Sequence, residues 1–321
     1  MLRRLGYVAT ALSIDATTSR TCRLRNATPL RLRDLIDANL CALDDIIRFN
    51  ERERIRLYRI SSGLIPFGSH AVNTVRWWEE FADRFREIGR RIRAAGMRVS
   101  MHPGQYTLLN SPDPAITAAS RADLDYHARV LDLLDVLPEG KLVLHVGGLY
   151  GNRPEAIERF IQQVKGLPEH VRRRLVVEND DRLFTTFDVL DVSERTGVPV
   201  VFDWLHYQAN PGRGLPRDLI AMCFSTWSAA HGFPKVHISS QAADAPVGAH
   251  ADWVSPNDVL RFMEEAPRVP FDCMLEAKEK DRALLRLRGE LAARGVSEEP
   301  DATREARRRR PLGRRPAARR A

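Results

Sequence analysis

Histidine and carboxylate residues stand at the ends of successive short apolar runs in this sequence. The run VSM is followed by His102, and the run KLVL is followed by His145. The later runs and the loops after them carry Glu178, Asp203, His206, Lys235, His237, His250 and Glu276. Imidazole and carboxylate ligands without thiolate suit Zn²⁺, Mn²⁺ or Fe²⁺ better than Mg²⁺ or Ca²⁺. The set is too large for one ion, so it predicts a cluster of two or three divalent metals, with Glu178 placed to bridge them.

Metal clusters of this composition support two kinds of chemistry. They supply hydroxide near neutral pH and stabilise both the attacking and the leaving oxygen of a phosphodiester. They also serve aldose–ketose isomerases, so the ligand set alone does not fix the reaction. Lys235 is unusual in such a site, because a charged ammonium would repel the ions. It shares strand parity with His237, so we expect either a lowered pKa or a carbamate on its amine that acts as a ligand.

Alternating strand-like and helix-like segments position these residues. Eight units of a short apolar run and an amphipathic stretch fill about 290 residues, from LGYVATALSI to FDCMLEAKEKD. This alternation predicts a parallel sheet, and eight such units predict a single-domain (β/α)₈ TIM barrel. The C-terminal strand ends of such a barrel share one rim, where the ligands would converge. No glycine-rich phosphate loop follows any strand, which argues against a nucleotide cofactor.

Composition and charge indicate where the chain works. No apolar run approaches the ~20 residues that span a membrane, and four scattered cysteines are typical of reduced cytosolic thiols. We expect a cytoplasmic, nucleoid-associated monomer without membrane attachment. The net charge is +8, and residues 296–321 hold nine arginines and four acidic residues, which leaves +5 there. We predict a catalytic domain over residues 1–292 and a disordered basic tail over 293–321, which is either simply solvated or attracted to nucleic acid phosphates.

Eight motifs resemble those of the UV damage endonucleases in both order and spacing. They cover essentially all of residues 3 to 290 and read LGYVATALSI, SSGLIPFGSH, SMHPGQYTLLNSP, LHVGG, VVENDD, FDWLHYQANPG, KVHISSQ and MLEAKEKDRALLRL. SMHPGQY and LEAKEKD are together highly specific, whereas LHVGG alone would be weak. The resemblance implies a metal-dependent barrel related to endonuclease IV and to sugar isomerases. It also implies nicking of double-stranded DNA immediately 5′ to cyclobutane pyrimidine dimers, 6-4 photoproducts and some abasic sites. Our hypothesis for this step is hydrolysis of one phosphodiester by a metal-bound hydroxide, which would leave 3′-OH and 5′-phosphate ends.

The same resemblance implies roles for the residues of the metal site. Three metals are expected, with Mn²⁺ as the first choice and Zn²⁺ as the alternative. Their implied ligands are His102, His145, Glu178, Asp203, His206, His237, His250 and Glu276. Lys235 matches a lysine that is carboxylated in the family, and His70 matches a histidine at the catalytic rim. Glu178, Lys235 and His70 are therefore the expected catalytic residues.

The resemblance also implies contacts with the damaged DNA. Gln105 and Tyr106 match a pair that wedges into the duplex at the lesion, and Tyr7 matches an aromatic residue on the probing side. A damaged dinucleotide must leave the base stack to reach the metals, and a polar and an aromatic side chain can fill the resulting hole. Family members tend to carry an asparagine near the end of the first strand, where this sequence has Thr10 and Ala11.

Three other functions fit parts of this pattern. An abasic-site endonuclease would share the metals and differ in the lesion it probes. A sugar isomerase or epimerase would use the same barrel, but it needs a compact closed pocket and no net positive body. A DNA-binding module with structural metals fits less well, because so many ligands differ from one closed tetrahedral site. His127 and His170 fall within or at the end of predicted helices, and we interpret both as structural.

Overall fold

The eight predicted strands close into a parallel barrel in chain order. The structure is a computed structural model and describes residues 1–299. The strands are β1 (Leu2–Val8), β2 (Leu57–Ile60), β3 (Arg98–Met101), β4 (Lys141–His145), β5 (Leu175–Glu178), β6 (Val200–Asp203), β7 (Lys235–Ile238) and β8 (Phe271–Leu275). The helices of this part of the chain are α1 (Pro29–Arg52), α2 (Trp77–Glu80), α3 (Ala82–Ala94), α4 (Pro114–Leu133), α5 (Arg153–Lys165), α6 (Glu169–Arg172), α7 (Thr186–Thr196), α8 (Trp204–Ala209), α9 (Pro216–Ser225), α10 (Pro256–Glu265) and α11 (Lys280–Ala292). The prediction of a (β/α)₈ TIM barrel is confirmed.

Side chains along each strand alternate between the surrounding helices and the barrel interior. In the interior, Val143, Val176 and Val201 pack with Trp227 into a small apolar cluster apart from the main core. Two residues further along each of these strands stand His145, Glu178 and Asp203, which therefore face the same interior at its C-terminal end. The valine layer supports the candidate site from below and keeps the lower part of the barrel apart from it.

Side-chain caps fix where several helices begin after the rim loops. The Thr28 hydroxyl accepts a hydrogen bond from the backbone N–H of Arg31, and Pro29 occupies the first turn of α1. The Asp113 carboxylate accepts one from the N–H of Ala115 at the start of α4. Such caps satisfy backbone donors that a helix leaves free. They set the lengths of the loops that carry the rim residues.

Two strands end earlier than the sequence predicts. The predicted strand LGYVATALSI ends at Val8, because Ala9 takes a positive φ of 65° and turns the chain. The sixth strand ends at Asp203, whose carboxylate caps α8 by accepting the backbone N–H of His206 at 2.8 Å. His206 therefore lies on a short helix rather than on the strand.

Part of the predicted disordered tail is ordered. Val296 packs partly buried against the core. The Glu298 carboxylate accepts a hydrogen bond from the N–H of Leu5 at 2.7 Å, and Glu299 pairs with Arg3 at 3.3 Å. These contacts tie residues 296–299 to the N-terminal end of β1. The rest of that predicted tail, residues 300–321, lies outside the described residues.

No helix within residues 1–299 has the length and apolar character needed to cross a bilayer. All four cysteines are free thiols, of which Cys223 and Cys273 are buried. Burial raises the pKa of both buried thiols far above the ordinary cysteine value. These two cysteines are packing residues rather than reactive nucleophiles.

Candidate metal centre

Glu178 lies at the centre of the rim cluster. Its Oε1 is 2.6 Å from Nδ1 of His237 and 3.8 Å from Nδ1 of His206. Its Oε2 is 3.4 Å from Nε2 of His102 and 3.8 Å from Nε2 of His145. The last residue of β5 thus contacts groups delivered by β4, β7, α8 and the loop after β3. The sequence predicts that the strand ends bring their ligands together, and these distances agree with that prediction.

Three groups of ligand atoms share this carboxylate. Within each group all ligand atoms lie within 4.8 Å of one another, and the groups are His102–His145–Glu178, Glu178–His237–Glu276 and Glu178–Asp203–His206. His250 stands beside the second group, with Nδ1 at 3.9 Å from Oε2 of Glu276. Seven of the eight expected ligands therefore belong to a group, and the eighth is adjacent. A carboxylate common to three groups has the geometry of a bridging ligand.

Backbone carbonyls orient two of the histidines. Nδ1 of His102 lies 3.0 Å from the carbonyl oxygen of Pro103, and Nδ1 of His206 lies 3.0 Å from that of Asn179. A carbonyl can only accept, so the neutral form of each ring carries its proton on Nδ1 and has a free lone pair on Nε2. This pattern is the usual support for a metal-binding imidazole, because it fixes the tautomer and the ring plane.

The cluster perturbs the pKa values of its members strongly. Burial opposes a charge on His206, but Asp203, Glu178 and Glu276 together outweigh it and raise its pKa to about 9. Burial lowers the pKa of His237 to about 4, and the Arg59 cation adds to the effect against the opposing pull of Glu178.

The two innermost carboxylates shift in opposite directions. Burial, reinforced by Glu178 and Glu276, raises the pKa of Asp203 well above its ordinary value. For Glu178 burial acts upward, but the histidines around it, His237 first, hold its pKa well below the usual range. Strong shifts with specific charge partners in one cluster are typical of functional sites.

Several buried polar atoms of the cluster have no hydrogen-bond partner among the described residues. Examples are Oδ2 of Asp203, Nδ1 of His145 and Nζ of Lys235. A buried polar atom without a partner is costly. Two of these atoms are typical metal ligands and lie in or beside the three groups, so the residues present fit a multinuclear metal site.

Lys235 lies deeper than the rim. It is the first residue of β7, is almost fully buried, and shares the interior face with His237 as expected. Burial, followed by the cations Arg59 and Arg98, lowers the pKa of its amine well below the ordinary lysine value. A neutral amine at this position is nucleophilic, which carboxylation of a lysine requires.

Arg59 is a site residue that the ligand pattern missed. It lies on β2, with Nη2 at 2.5 Å from Oε1 of Glu276 and 2.8 Å from Nε2 of His237. The guanidinium bridges two expected ligands and adds positive charge beside the carboxylates. A signal for it exists in the sequence, because a single arginine inside the short strand LYRI must face either apolar helices or a polar interior.

Three expected functional residues stand exposed around the cluster. Gln105 and Tyr106 are exposed on the loop after β3, and the Tyr106 side chain is 82% accessible. A hydrogen bond of 2.9 Å from the N–H of Thr107 to the carbonyl of Gly104 closes the turn that presents them. His70 is exposed on the loop after β2, and its Nδ1 accepts a hydrogen bond from the N–H of Val72 at 3.0 Å. The imidazole proton of neutral His70 is therefore on Nε2.

Tyr7 is placed differently from the expectation of a lesion contact. It is fully buried, its hydroxyl donates to Oδ1 of Asn50 at 2.8 Å, and its ring packs against Tyr58. Asn50 belongs to α1, so Tyr7 faces the helix layer, whereas Arg4 on the same strand reaches Asp272 in the interior at 3.6 Å. Strand parity thus points Tyr7 away from the rim, and its role here is packing.

The two histidines interpreted as structural lie outside the cluster. His127 is buried on α4, where its Nδ1 lies 2.7 Å from the carbonyl of Asp123. His170 is on α6 and its Nε2 lies 2.7 Å from Oδ1 of Asp125. Both imidazoles pair with groups of α4, and neither belongs to one of the three ligand groups.

Comparisons with known proteins show which family this chain resembles over most of its length. A sequence model of the family described as UV-endonuclease UvdE matches residues 3–302. A curated relative, UV DNA damage endonuclease from Bacillus cereus strain G9842, is 35% identical over 307 residues, which cover 92% of this chain and 97% of the relative. The crystal structure of SacUVDE superposes with a TM-score of 0.85 at 34% identity, covering 91% of this chain and 99% of that one.

A more distant likeness concerns the fold alone. Endonuclease IV from Thermus thermophilus superposes with a TM-score of 0.51 at 16% identity, covering 78% of this chain and 94% of that one. Barrels of this shape host many chemistries. The side chains at the rim, rather than this superposition, have to carry any statement about the reaction.

Proposed function

This chain belongs to the UV-endonuclease UvdE family and is a nuclease, and from this premise we propose that it cleaves one phosphodiester of double-stranded DNA immediately 5′ to an ultraviolet photoproduct. The proposed lesions are cyclobutane pyrimidine dimers and 6-4 photoproducts, and the proposed ends are 3′-OH and 5′-phosphate. The observation that carries the proposal is the single carboxylate of Glu178 shared by three ligand groups. Because the proposed substrate is DNA, we expect the chain to act on the nucleoid in the cytoplasm, as a monomer.

We propose that the rim holds two to three divalent ions, with Mn²⁺ as the first choice and Zn²⁺ as the alternative. The holding residues would be His102, His145, Glu178, Asp203, His206, His237, His250 and Glu276. Divalent ions bound there would act as Lewis acids on the phosphodiester and lower the pKa of water. Lys235, buried without a partner among the described residues, would join the set as a carbamate.

The protein's own groups would orient the reacting strand. With its proton on Nε2, His70 can donate to a phosphate oxygen from the exposed edge of the rim. Arg59 holds Glu276 in place through the 2.5 Å ion pair, and it keeps positive charge close to where a phosphate would enter. The Pro103–Gly104 turn keeps Gln105 and Tyr106 at the mouth of the site.

The exposed loop favours a duplex substrate over a small molecule. Tyr106 presents a nearly free aromatic face to solvent, and aromatic side chains stack on bases left unpaired by a flipped nucleotide. Gln105 can hydrogen-bond the edge of the orphaned base. A damaged step costs less to unstack than an intact one, which would supply part of the selectivity.

The direct test uses duplex oligonucleotides with one cyclobutane dimer, one 6-4 photoproduct, one abasic site or no damage. We expect Mn²⁺-dependent nicking immediately 5′ to both photoproducts, and loss of nicking with chelator. Cleavage only at the abasic site would replace the proposal with an abasic-site endonuclease. If no duplex is cleaved, the proposal that this chain nicks damaged duplex DNA is refuted. Thr10 and Ala11, which stand where family members tend to carry an asparagine, would then be the first positions to examine.

Two isosteric variants test the metal residues. Glu178→Gln and Glu276→Gln should each abolish nicking, because an amide cannot replace a carboxylate ligand or bridge. Their circular dichroism should match that of the unaltered protein. Glu194→Gln, on the exposed face of α7, is the matched control and should nick normally. Full activity in either rim variant would contradict the assignment of ligands.

A further inference from the structure

A second concave site lies at the opposite end of the barrel. A cavity of about 680 Å³ opens among the N-terminal strand ends, lined by residues that include Arg4, Arg98, Val136, Trp227 and Phe233. These residues precede or begin β1, β3, β4 and β7, whereas the rim cluster stands at the other ends of the strands. The valine layer of Val143, Val176 and Val201 separates the two ends.

The walls of this cavity are mainly apolar. Met97, Val99, Val136, Pro138 and Trp227 line it, and Leu137 and Phe233, 44% and 39% exposed, stand at its mouth. A volume between about 300 and 1,000 Å³ with apolar walls and a few polar groups is typical of small-molecule sites. A nucleic acid strand would find no continuous polar surface here.

One buried cation in this cavity has an unused donor. The Arg98 side chain is fully buried, and its Nη1 donates to Oδ2 of Asp272 at 2.8 Å and to the carbonyl of Phe233 at 2.7 Å. Its Nη2 has no hydrogen-bond partner among residues 1–299. The guanidinium lies 5.2 Å from the ring centroid of Trp227, which holds it in the cavity wall. A buried charged donor without a partner requires an acceptor.

The unused N–H of Arg98, rather than a net charge, favours an anionic acceptor. Arg3, Arg4 and Arg98 pair with Glu139 and Asp272 at distances from 2.8 to 3.7 Å. Glu299 pairs with Arg3 from the outer edge, where its side chain is a third exposed and screened by water. At the mouth, Arg93 pairs with the exposed Asp135. The first three arginines and their three carboxylates balance in charge, so the preference for an anion rests on the unused N–H of Arg98, because a guanidinium donor bonds an anionic oxygen more strongly than a neutral one.

We propose that this cavity binds a small organic monoanion, with a carboxylate or sulfonate facing Arg98 and an apolar body against Val136 and Trp227. The site lies at the end of the barrel away from the rim, and its mainly apolar walls suit a small molecule better than a nucleic acid strand. A neutral ligand of the same shape would bury its apolar body equally well, but it would not give Nη2 of Arg98 an anionic acceptor.

A matched pair of fluorescent probes tests the proposal on the full chain. 8-Anilinonaphthalene-1-sulfonate carries the anion, and N-phenyl-1-naphthylamine has the same body without charge. The sulfonate should bind at one saturable site about tenfold or more tightly than the neutral probe, as a charge-assisted hydrogen bond implies. Equal affinities would overturn the role of the cation.

Two substitutions locate the binding. Ala229→Trp places a large side chain at the exposed edge of the cavity and should weaken sulfonate binding about tenfold or more, with DNA nicking unchanged. Met222→Trp, exposed on the outer face of α9, is the matched control and should bind like the unaltered protein. Unchanged affinity in Ala229→Trp would refute the site.

A variant-free measurement gives the same decision if Ala229→Trp does not fold. The indole N–H of Trp227 donates to the carbonyl of Val200 at 2.7 Å and gives a separate nuclear magnetic resonance signal. That signal should shift saturably with the sulfonate probe, and the indole signal of Trp253, on the opposite end of the barrel, should stay. The reverse result would place the probe elsewhere and refute the proposal.

Discussion

Lys141 offers a quantitative test of the buried positive charge beneath the candidate site. It is fully buried at the start of β4, and its Nζ donates to the carbonyl of Arg173 at 2.7 Å. Burial lowers the pKa of this amine from 10.5 to about 7, and the cations Arg98, Arg174 and Arg173 add to the shift. The folded state therefore resists charging this lysine, while the unfolded chain charges it freely.

The sign of the pH dependence follows from these two pKa values. Above pH 10.5 the amine is neutral in both states and costs nothing. As the pH falls from 10.5 to 7, the unfolded chain gains protons that the folded state refuses, so the free energy of unfolding falls. The cost of Lys141 reaches about 4 kcal/mol at about pH 7 and is only about 1 kcal/mol at about pH 10. Below the folded-state pKa it stays nearly constant.

Lys141→Met removes this cost and keeps the side-chain length. The loss of the hydrogen bond to Arg173 subtracts about 1 kcal/mol at every pH. In urea unfolding, the variant should therefore be more stable than the unaltered protein by about 3 kcal/mol at about pH 7 and nearly equal to it at about pH 10. Lys165→Met, at the exposed end of α5, is the control for a general effect of losing a lysine. A difference between Lys141→Met and the unaltered protein that does not change over this pH range would refute the reasoning.

Three further predictions address the rim and its surroundings. Because its side chain is exposed, Tyr106→Ala should change the free energy of unfolding by less than about 0.5 kcal/mol. The same variant should nick DNA at a dimer about tenfold or more slowly, because stacking on the bases is lost. A normal rate of nicking would argue against the wedge. Tyr7→Phe should lower the free energy of unfolding by about 1–3 kcal/mol, because Oδ1 of Asn50 loses its buried donor. The rate of nicking per folded molecule should not change. Slower nicking by a variant of unchanged stability would support Tyr7 as a lesion contact. Saturating Mn²⁺ at about 100 times its dissociation constant should add about 2.7 kcal/mol to the free energy of unfolding, measured as a rise in Tm that chelator reverses; an unchanged Tm would speak against a metal site.

The fold and the convergence of the rim residues were predictable from sequence. A parallel barrel sends every C-terminal strand end to one rim, so a ligand-type residue at each end is enough to predict that they meet. His102, His145 and Glu178 required only this rule. His206 also reached the site, although it lies on α8, because Asp203 both ends its strand and caps that helix.

Side-chain direction was the part that the resemblance could not supply. Tyr7 occupies a motif position expected at the lesion, yet its parity on β1 directs it to Asn50 in the helix layer. Arg59 does not follow from the ligand pattern, because an arginine is not a metal ligand and this one lies inside β2 rather than at its end. Both follow from alternation along a strand, once one interior residue of the same strand is known. Which residues of a strand face the interior follows from its register with the neighbouring strands. That register is known only from the structure of the closed barrel.

The strands also place buried basic side chains beneath the rim cluster. Four residues before His102, His145 and Glu178 stand Arg98, Lys141 and Arg174, all buried; Arg98 pairs with Asp272, and Arg174 pairs with Asp132 of α4. Two of the intermediate positions, Val143 and Val176, belong to the apolar layer. Beneath the ligand layer therefore lie a thin apolar layer and then a layer of basic side chains, two of which are paired with carboxylates. Across so thin an apolar layer, cations are weakly screened from the carboxylates above them. Removing one of these basic side chains should therefore raise the pKa of the rim carboxylates, even though it does not contact them.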